Sequence, residues 1–216
     1  MILCSDFDST LKQEDPLIFE ENLRAVKNWR NAGNLFVIVT GHNHAVLDQI
    51  LPNWQSLVDY IITDNGGAIF SNQNELVHIN ELSRSLIRQI QSLVCDRATP
   101  ISYSPYRCSI ELMLTETAIK LRLWFKTEPR FRSCKSHIET QDWPVKVLSQ
   151  IGTDFSTLPS GASTERFYGF LDIIPISSGK DEAIAQLSNI ISGSGEQAII
   201  VNSNSYGIAN IIYRHL

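Results

Sequence analysis

The feature that most constrains this chain is the run Leu35-Phe36-Val37-Ile38-Val39, five apolar residues with no polar break. A strand with one face in water alternates apolar and polar residues. A continuous run needs cover on both faces, which implies a parallel sheet between layers of helices. Residues 2–7, Tyr60-Ile61-Ile62-Thr63 and Gln197-Ala198-Ile199-Ile200-Val201 read the same way. Between the first two runs, Phe19 to Ala32 reads as an amphipathic helix, with Phe19, Leu23, Val26 and Trp29 or Arg30 at helical spacing and Gly33 as its stop. His44 to Leu51 reads as a shorter helix ended by Pro52. Ser177 or Ser178 is the natural N-cap of a helix running through Lys180, Leu187 and Ile191. The order β-α-β-α-β, with a later α-β return, predicts a doubly wound, mostly parallel α/β sheet. In such a fold the site lies at the carboxyl ends of the strands.

The rhythm breaks in the middle of the chain. Glu81 to Cys95 reads as a helix, Ser109 to Leu114 as a half-buried strand and Val145 to Leu148 as another. Thr117 to Lys126 reads as helix in preference to strand. Residues 127–142 carry no clear pattern, and Gly152 to Glu165 reads as a connection rich in Ser, Thr, Gly and Pro. The predicted organisation is an α/β core of residues 1–81 and 169–216, with an inserted α+β cap domain over 82–168. An insert between strands of a parallel sheet is a natural cover for a site.

Composition excludes several classes. The chain has 216 residues and a formal net charge of −5, with no Lys/Arg cluster, so a nucleic-acid footprint is not expected. No apolar run reaches the roughly 20 residues that span a bilayer, and no basic stretch precedes an apolar core at the N-terminus. Cys4, Cys95, Cys108 and Cys134 are scattered, without a CxxC pair. Reduced, buried thiols and a cytoplasmic location are the expectation.

Each strand ends in small polar residues, and the first end is the most pointed. Asp6 and Asp8 lie two positions apart, so extended backbone points both side chains the same way. Two carboxylates in one place repel each other, and a divalent cation relieves that while leaving one available as nucleophile or acid/base. A strand ending in a solvated polar turn explains the same ten residues equally well. Thr40-Gly41 suits a phosphate oxygen, or an ordinary helix start. Asn65-Gly66-Gly67 suits a substrate contact, or a hairpin turn. Lys180 at a helix start is a candidate cation for a phosphoryl group.

In order and approximate spacing, Asp6-Phe7-Asp8-Ser9-Thr10, Thr40-Gly41, Ser178-Gly179-Lys180 and Asn202 to Tyr206 resemble the four motifs of haloacid dehalogenase-like hydrolases. Asn65-Gly66-Gly67-Ala68 and Leu171-Asp172-Ile173-Ile174-Pro175 narrow the likeness to the Cof-type, sugar-phosphatase-like branch, which has an α+β cap. The resemblance implies a Mg²⁺-dependent phosphatase acting on a small phosphorylated metabolite such as a sugar phosphate. It implies that Asp6 attacks phosphorus and that Asp8 protonates the leaving oxygen and later activates water. Lys180 stabilises the phosphoryl group, and Thr40, Gly41 and Asn65 contact substrate. Asp6, the backbone carbonyl of Asp8 and Asn202 hold the metal. Thr10 shapes the turn, and His42 stands where many relatives have arginine. Arg107, Arg122, Trp124 and Arg166 are candidates for facing the cleft.

The fourth motif departs from the pattern. Relatives place Gly-Asp-x-x-Asn-Asp where this chain has Val201-Asn202-Ser203-Asn204-Ser205-Tyr206. Asn202 offers a neutral ligand in place of an aspartate, and the chain ends about one short helix later. A catalytically impaired relative that binds a phosphorylated ligand or a partner is therefore the alternative, with a phosphotransferase or mutase as a third reading.

Overall fold

The computed structural model describes residues 1–94, 97–106, 108–109, 118–151, 168–192, 198–201 and 207–216. It divides into two compact units, Met1–Gly41, Asp48–His78 and Gly179–Leu216 in the first, His42–Leu47 and Ile79–Ser178 in the second.

The first unit is built on β1 (Ile2–Asp6), α1 (Pro16–Asn31), β2 (Leu35–Val39), β3 (Tyr60–Thr63), β4 (Ala68–Ser71), β5 (Leu76–Ile79), α5 (Lys180–Ser192), β11 (Ala198–Val201) and α6 (Ala209–His215). Its sheet has the order β11-β1-β2-β3-β4-β5. β11, β1, β2 and β3 are parallel, with Cys4 opposite Ile200 and Val37, and Ile38 opposite Ile61. β4 then turns back antiparallel on β3. Parallel pairing brings Asp6, Val39 and Thr63 to one edge of the sheet. A crossover helix returns the chain to the opposite edge, so the start of α5 belongs to the same edge as Asp6.

The apolar runs of β1, β2 and β3 are buried as their composition demands. Ile2, Cys4, Val37, Val39, Ile62 and Ile69 form one face with Ala183, Ile184 and Leu187 of α5. Each such aliphatic side chain contributes about 1.5–3 kcal/mol by leaving water. Helix α1 begins earlier than its apolar spacing predicts. Asp15 caps it by accepting from the Leu17 amide at 2.9 Å, and Pro16 occupies the first turn, where its missing N–H costs nothing. Its buried face is Asn22, Ala25, Val26 and Trp29, one position round from the predicted Phe19–Leu23 stripe.

The second unit carries a five-stranded antiparallel-type sheet in the order β7-β6-β8-β10-β9. Its strands are β6 (Thr99–Tyr103), β7 (Cys108–Ser109), β8 (Lys120–Phe125), β9 (Val145–Ile151) and β10 (Gly169–Pro175). Helices α3 (Arg84–Val94) and α4 (Glu128–Glu139) cover one face through Leu86, Ile87, Ile90, Phe131, Cys134 and Ile138. Leu121, Leu123 and Phe125 of β8, with Leu171 and Ile173 of β10, meet them.

Four sequence expectations change here. Residues 120–125 form strand rather than helix, because alternate residues face opposite sides and the polar ones are buried in partnership. Lys120 lies 4.1 Å above the Tyr103 ring, and Arg122 clasps Asp172 through two bonds of 2.6 and 2.7 Å. Residues 128–139 form a helix that the sequence left unassigned. Gly169–Pro175, placed with the core on sequence, pairs along its whole length with β9 and from Gly169 to Ile173 with β8. The first residues of α2 (His44–Ile50) also join the second unit. There the Asn43 amide donates to the Ser104 carbonyl at 3.0 Å, and the His44 ring meets Tyr106 edge-on. The predicted connection from Gly152 to Glu165 lies outside the described residues, as does most of the strand predicted over Ser109 to Leu114.

Candidate functional site

The end of β1 and the start of α5 meet in one ion pair. Lys180 Nζ donates to Asp6 Oδ1 at 2.8 Å, joining residues 174 positions apart. Both groups are half-buried, with the carboxylate 18% and the lysine 31% exposed. The Phe7 amide also donates to Asp6 Oδ1, at 3.0 Å. Two donors on one carboxylate oxygen orient the other for a ligand or an attack.

Beyond Asp6 the backbone closes a tight loop. The Leu11 amide donates to the Asp6 carbonyl at 3.2 Å, and the Lys12 amide to the Phe7 carbonyl at 2.8 Å. Ser9 adopts a left-handed φ of 55° inside it. Asp8 sits on this loop, exposed to solvent. A groove of about 490 Å³ opens beside it, with Ser9, Lys12, Gln13 and Glu14 in its wall. Thr10 is fully buried, in keeping with a part in the turn.

The second and third strand ends touch each other. Thr40 is fully buried and its amide donates to the Ile62 carbonyl at 2.8 Å. The Asn65 amide donates to the Thr40 carbonyl at 3.1 Å. Asn65 Oδ1 stands 3.0 Å from where a Cβ on Gly41 would lie, so Gly41 makes room for the asparagine side chain. Asp64 and Asn65 both take left-handed backbone, φ 53° and 57°, and Gly66 continues at 91°. Asp64 is fully buried.

Gly66 shows why this turn ends in glycine. A Cβ there would fall 2.3 Å from the Gly179 carbonyl oxygen and 2.7 Å from its nitrogen. The turn after β3 thus lies directly against the residue that precedes Lys180. The helix start differs from its predicted cap. Ser177 Oγ donates to Asn80 Oδ1 at 3.2 Å, and Ser178 Oγ is buried with no hydrogen-bond partner among the described residues. The first turn is closed by the Gly179 carbonyl, which accepts from the Ala183 amide at 3.0 Å.

The structure therefore brings together Asp6, Lys180, Thr40, Gly41 and Asn65. His42 is half-buried in the second unit, beside Asn43. Arg122 and Trp124 are not exposed to a cleft as the sequence suggested. Arg122 is 7% and Trp124 1% accessible, the guanidinium stacked 3.8 Å from the Phe170 ring and paired with Asp172. Asn202, Arg107 and Arg166 lie outside the described residues. Sequence reasoning passed over Asn22, Gly66 as a packing residue, and Asp64. For Asn22 the signal was a polar residue at the spacing of the buried helix face.

Among the described residues, no three His, Cys, Asp or Glu side chains form a metal-binding group. Of the ligands that the resemblance implies, the Asp6 carboxylate and the Asp8 carbonyl belong to the described residues, and both are oxygens. Oxygen donors are the type magnesium takes, and one carboxylate gives them little charge. The set fits a hard divalent cation in kind.

An open, mostly parallel sheet with helices, with a carboxylate at the end of its first strand paired to a lysine at a helix start, defines an α/β protein. The sequence profile of the haloacid dehalogenase-like hydrolases matches residues 3–201, and the chain belongs to that family. No curated protein sequence matches it. Among solved structures, a haloacid dehalogenase-like hydrolase from Bacteroides thetaiotaomicron superposes with a TM-score of 0.71 at 13% identity, covering 100% of this chain and 99% of its own. The protein TM0651 from Thermotoga maritima gives 0.72 at 14%, covering 99% and 96%. The subclass IIB sugar phosphatase BT4131 gives 0.66 at 15%, covering 92% and 79%. At these identities the likeness establishes the fold. Among the described residues no helix is long and apolar enough to cross a membrane.

Proposed function

We propose that this protein hydrolyses a small phosphomonoester, of sugar-phosphate type, through an aspartyl-phosphate on Asp6. The observation that carries this reading is the 2.8 Å contact between Lys180 and Asp6, which unites two of the family's motifs in one site. An Asp6 carboxylate oxygen forms a bond to phosphorus as the bond from phosphorus to the leaving oxygen breaks. Asp8 gives its proton to that oxygen. A water oxygen then attacks phosphorus, its proton passes to Asp8, the bond to Asp6 breaks and inorganic phosphate leaves. Lys180 offsets negative charge on the phosphoryl oxygens throughout. Thr40, Gly41 and Asn65 are assigned to the phosphate and the substrate around it.

Asp6, the Asp8 carbonyl and Asn202 are the residues that would hold Mg²⁺. When bound, the ion supplies positive charge to the phosphate and to Asp6. Choice of substrate is assigned to the inserted module, residues 82–168. The test is hydrolysis of an aryl phosphate and a panel of sugar phosphates, with and without Mg²⁺, beside Asp6→Asn. Wild-type turnover that needs Mg²⁺ and vanishes in the variant supports the reading. Turnover no greater than the variant's overturns it. Phosphate moved between two sugars without release would instead mark a phosphotransferase or mutase.

One observation favours a second reading. Asn202 puts a neutral amide where relatives carry an aspartate, which weakens a magnesium site and suits a protein that binds a phosphorylated ligand without turning it over. Asn202→Asp decides between them, since a large gain in activity at low Mg²⁺ marks a working enzyme with a weakened metal site.

A further inference from the structure

We propose that Asn22 is a positioning residue for Asp8, acting through the loop that carries it. The proposal rests on the phosphatase reading above. Asn22 lies in the middle of α1, on its buried face and fully inaccessible to water. A polar side chain there costs stability unless every polar atom is matched. All of them are. Asn22 Nδ2 donates to the Thr10 carbonyl at 3.2 Å and to the Leu11 carbonyl at 2.9 Å. Asn22 Oδ1 accepts from the amides of Ile208 at 3.0 Å and Ala209 at 3.1 Å. Two donors and two lone pairs are the full capacity of a primary amide.

The two halves of that amide do different work. Its oxygen satisfies backbone N–H groups at the start of α6, which have no partner inside the helix. Its nitrogen holds the carbonyls of Thr10 and Leu11, the limb of the loop that follows Asp8. The other limb is fixed by β1 and by the bonds from the Leu11 and Lys12 amides to Asp6 and Phe7. Asp8 thus sits on a loop clamped at both limbs, although its own side chain is exposed. Gly207 belongs to the same device, because a Cβ there would stand 2.5 Å from Asn22 Oδ1.

Asn22→Asp separates the two halves. It keeps an oxygen for Ile208 and Ala209, and it sets a second oxygen against the carbonyls of Thr10 and Leu11, which repel it. The readout is kcat/KM on two substrates, which covers the steps through departure of the alcohol. An alkyl phosphate releases a strongly basic oxygen that needs the proton from Asp8. 4-Nitrophenyl phosphate releases a stable phenolate that does not. If Asn22 positions Asp8, Asn22→Asp loses about a hundredfold on the alkyl phosphate and less than about fivefold on the aryl one, since general acids contribute about 10²–10⁴. Asp8→Asn should show the same selectivity. Equal losses on both substrates, or none on either, overturn the proposal and leave the phosphatase reading intact. A wild type inactive on both overturns the two together. Should Asn22→Asp not fold, Asn22→Ser is judged by the same alkyl-to-aryl selectivity, because its short hydroxyl releases both carbonyls, and the amides of Ile208 and Ala209 as well.

Discussion

The closest approach in the site sets up the sharpest prediction. Gly66→Ala places a methyl group 2.3 Å from the Gly179 carbonyl oxygen, where real contacts of this kind do not fall below 3.0 Å. The difference of the two, 0.7 Å, is the least that the turn or the start of α5 must move. Two costs add. A left-handed residue other than glycine costs about 1–2 kcal/mol, and overpacking a dense contact costs about 1–3 kcal/mol more. Gly33→Ala is the control, because Gly33 shares the left-handed backbone, φ 81°, with nothing within 4 Å of its added methyl. Thermal unfolding should lower Tm by about 2–4 °C per kcal/mol in a chain of this size, and Gly66→Ala should fall clearly below Gly33→Ala. Activity adds a second reading. Lys180 follows Gly179 directly, and misplacing a reacting group by about 1 Å costs on the order of 10²-fold. Folded Gly66→Ala should therefore lose about a hundredfold in kcat/KM while Gly33→Ala keeps its activity. Equal Tm and equal kcat/KM for the two variants would refute the reasoning that the turn braces the lysine.

Other outcomes follow from the same contacts. Lys180→Met should cut kcat/KM by about 10²–10³-fold, the usual cost of losing one group that stabilises transition-state charge, and steady-state assays on folded protein check it. Arg122→Met leaves Asp172 buried without its partner and should cost about 3–5 kcal/mol in urea unfolding, whereas Arg122→Met with Asp172→Leu should recover most of it. Burial pushes the Cys4 thiol from 9.0 up to about 12. Its raised value in the folded state means that stability is intact below pH 9 and declines as pH rises through 12, by about 1.4 kcal/mol per unit at most. Denaturation of Cys4→Ala across that range should lack this share of the decline.

Much of the first unit was legible because its signals are local. Leu35–Val39 announces burial on both faces by composition alone, and the polar ends mark where a parallel sheet gathers its site. Asp6 and Lys180 were linked before any coordinates through the resemblance of their motifs to the family, and their 2.8 Å contact agrees with that. The second unit was harder for a physical reason. Arg122 read as a candidate for facing the cleft, and its burial with that of Lys120 depends on Tyr103, Phe170 and Asp172, which local patterning does not see. Gly169–Pro175 owes its sheet to two strands that lie 18 or more residues earlier in the chain. Asn22 was passed over because its four bonds run to backbone atoms of two distant segments, which the apolar spacing of Phe19, Leu23, Val26 and Trp29 does not show. Gly66 looked like a turn residue and is one, but its contact with Gly179 is set by the fold.

The central claim is that Asp6 is the nucleophile, and trapping the intermediate tests it most directly. Wild-type protein mixed with ³²P-labelled substrate and Mg²⁺, quenched in acid and digested, should carry label on the peptide containing Asp6, with none in Asp6→Asn. Phosphate released at a normal rate with no label on that peptide, or with label on another residue, would contradict the account.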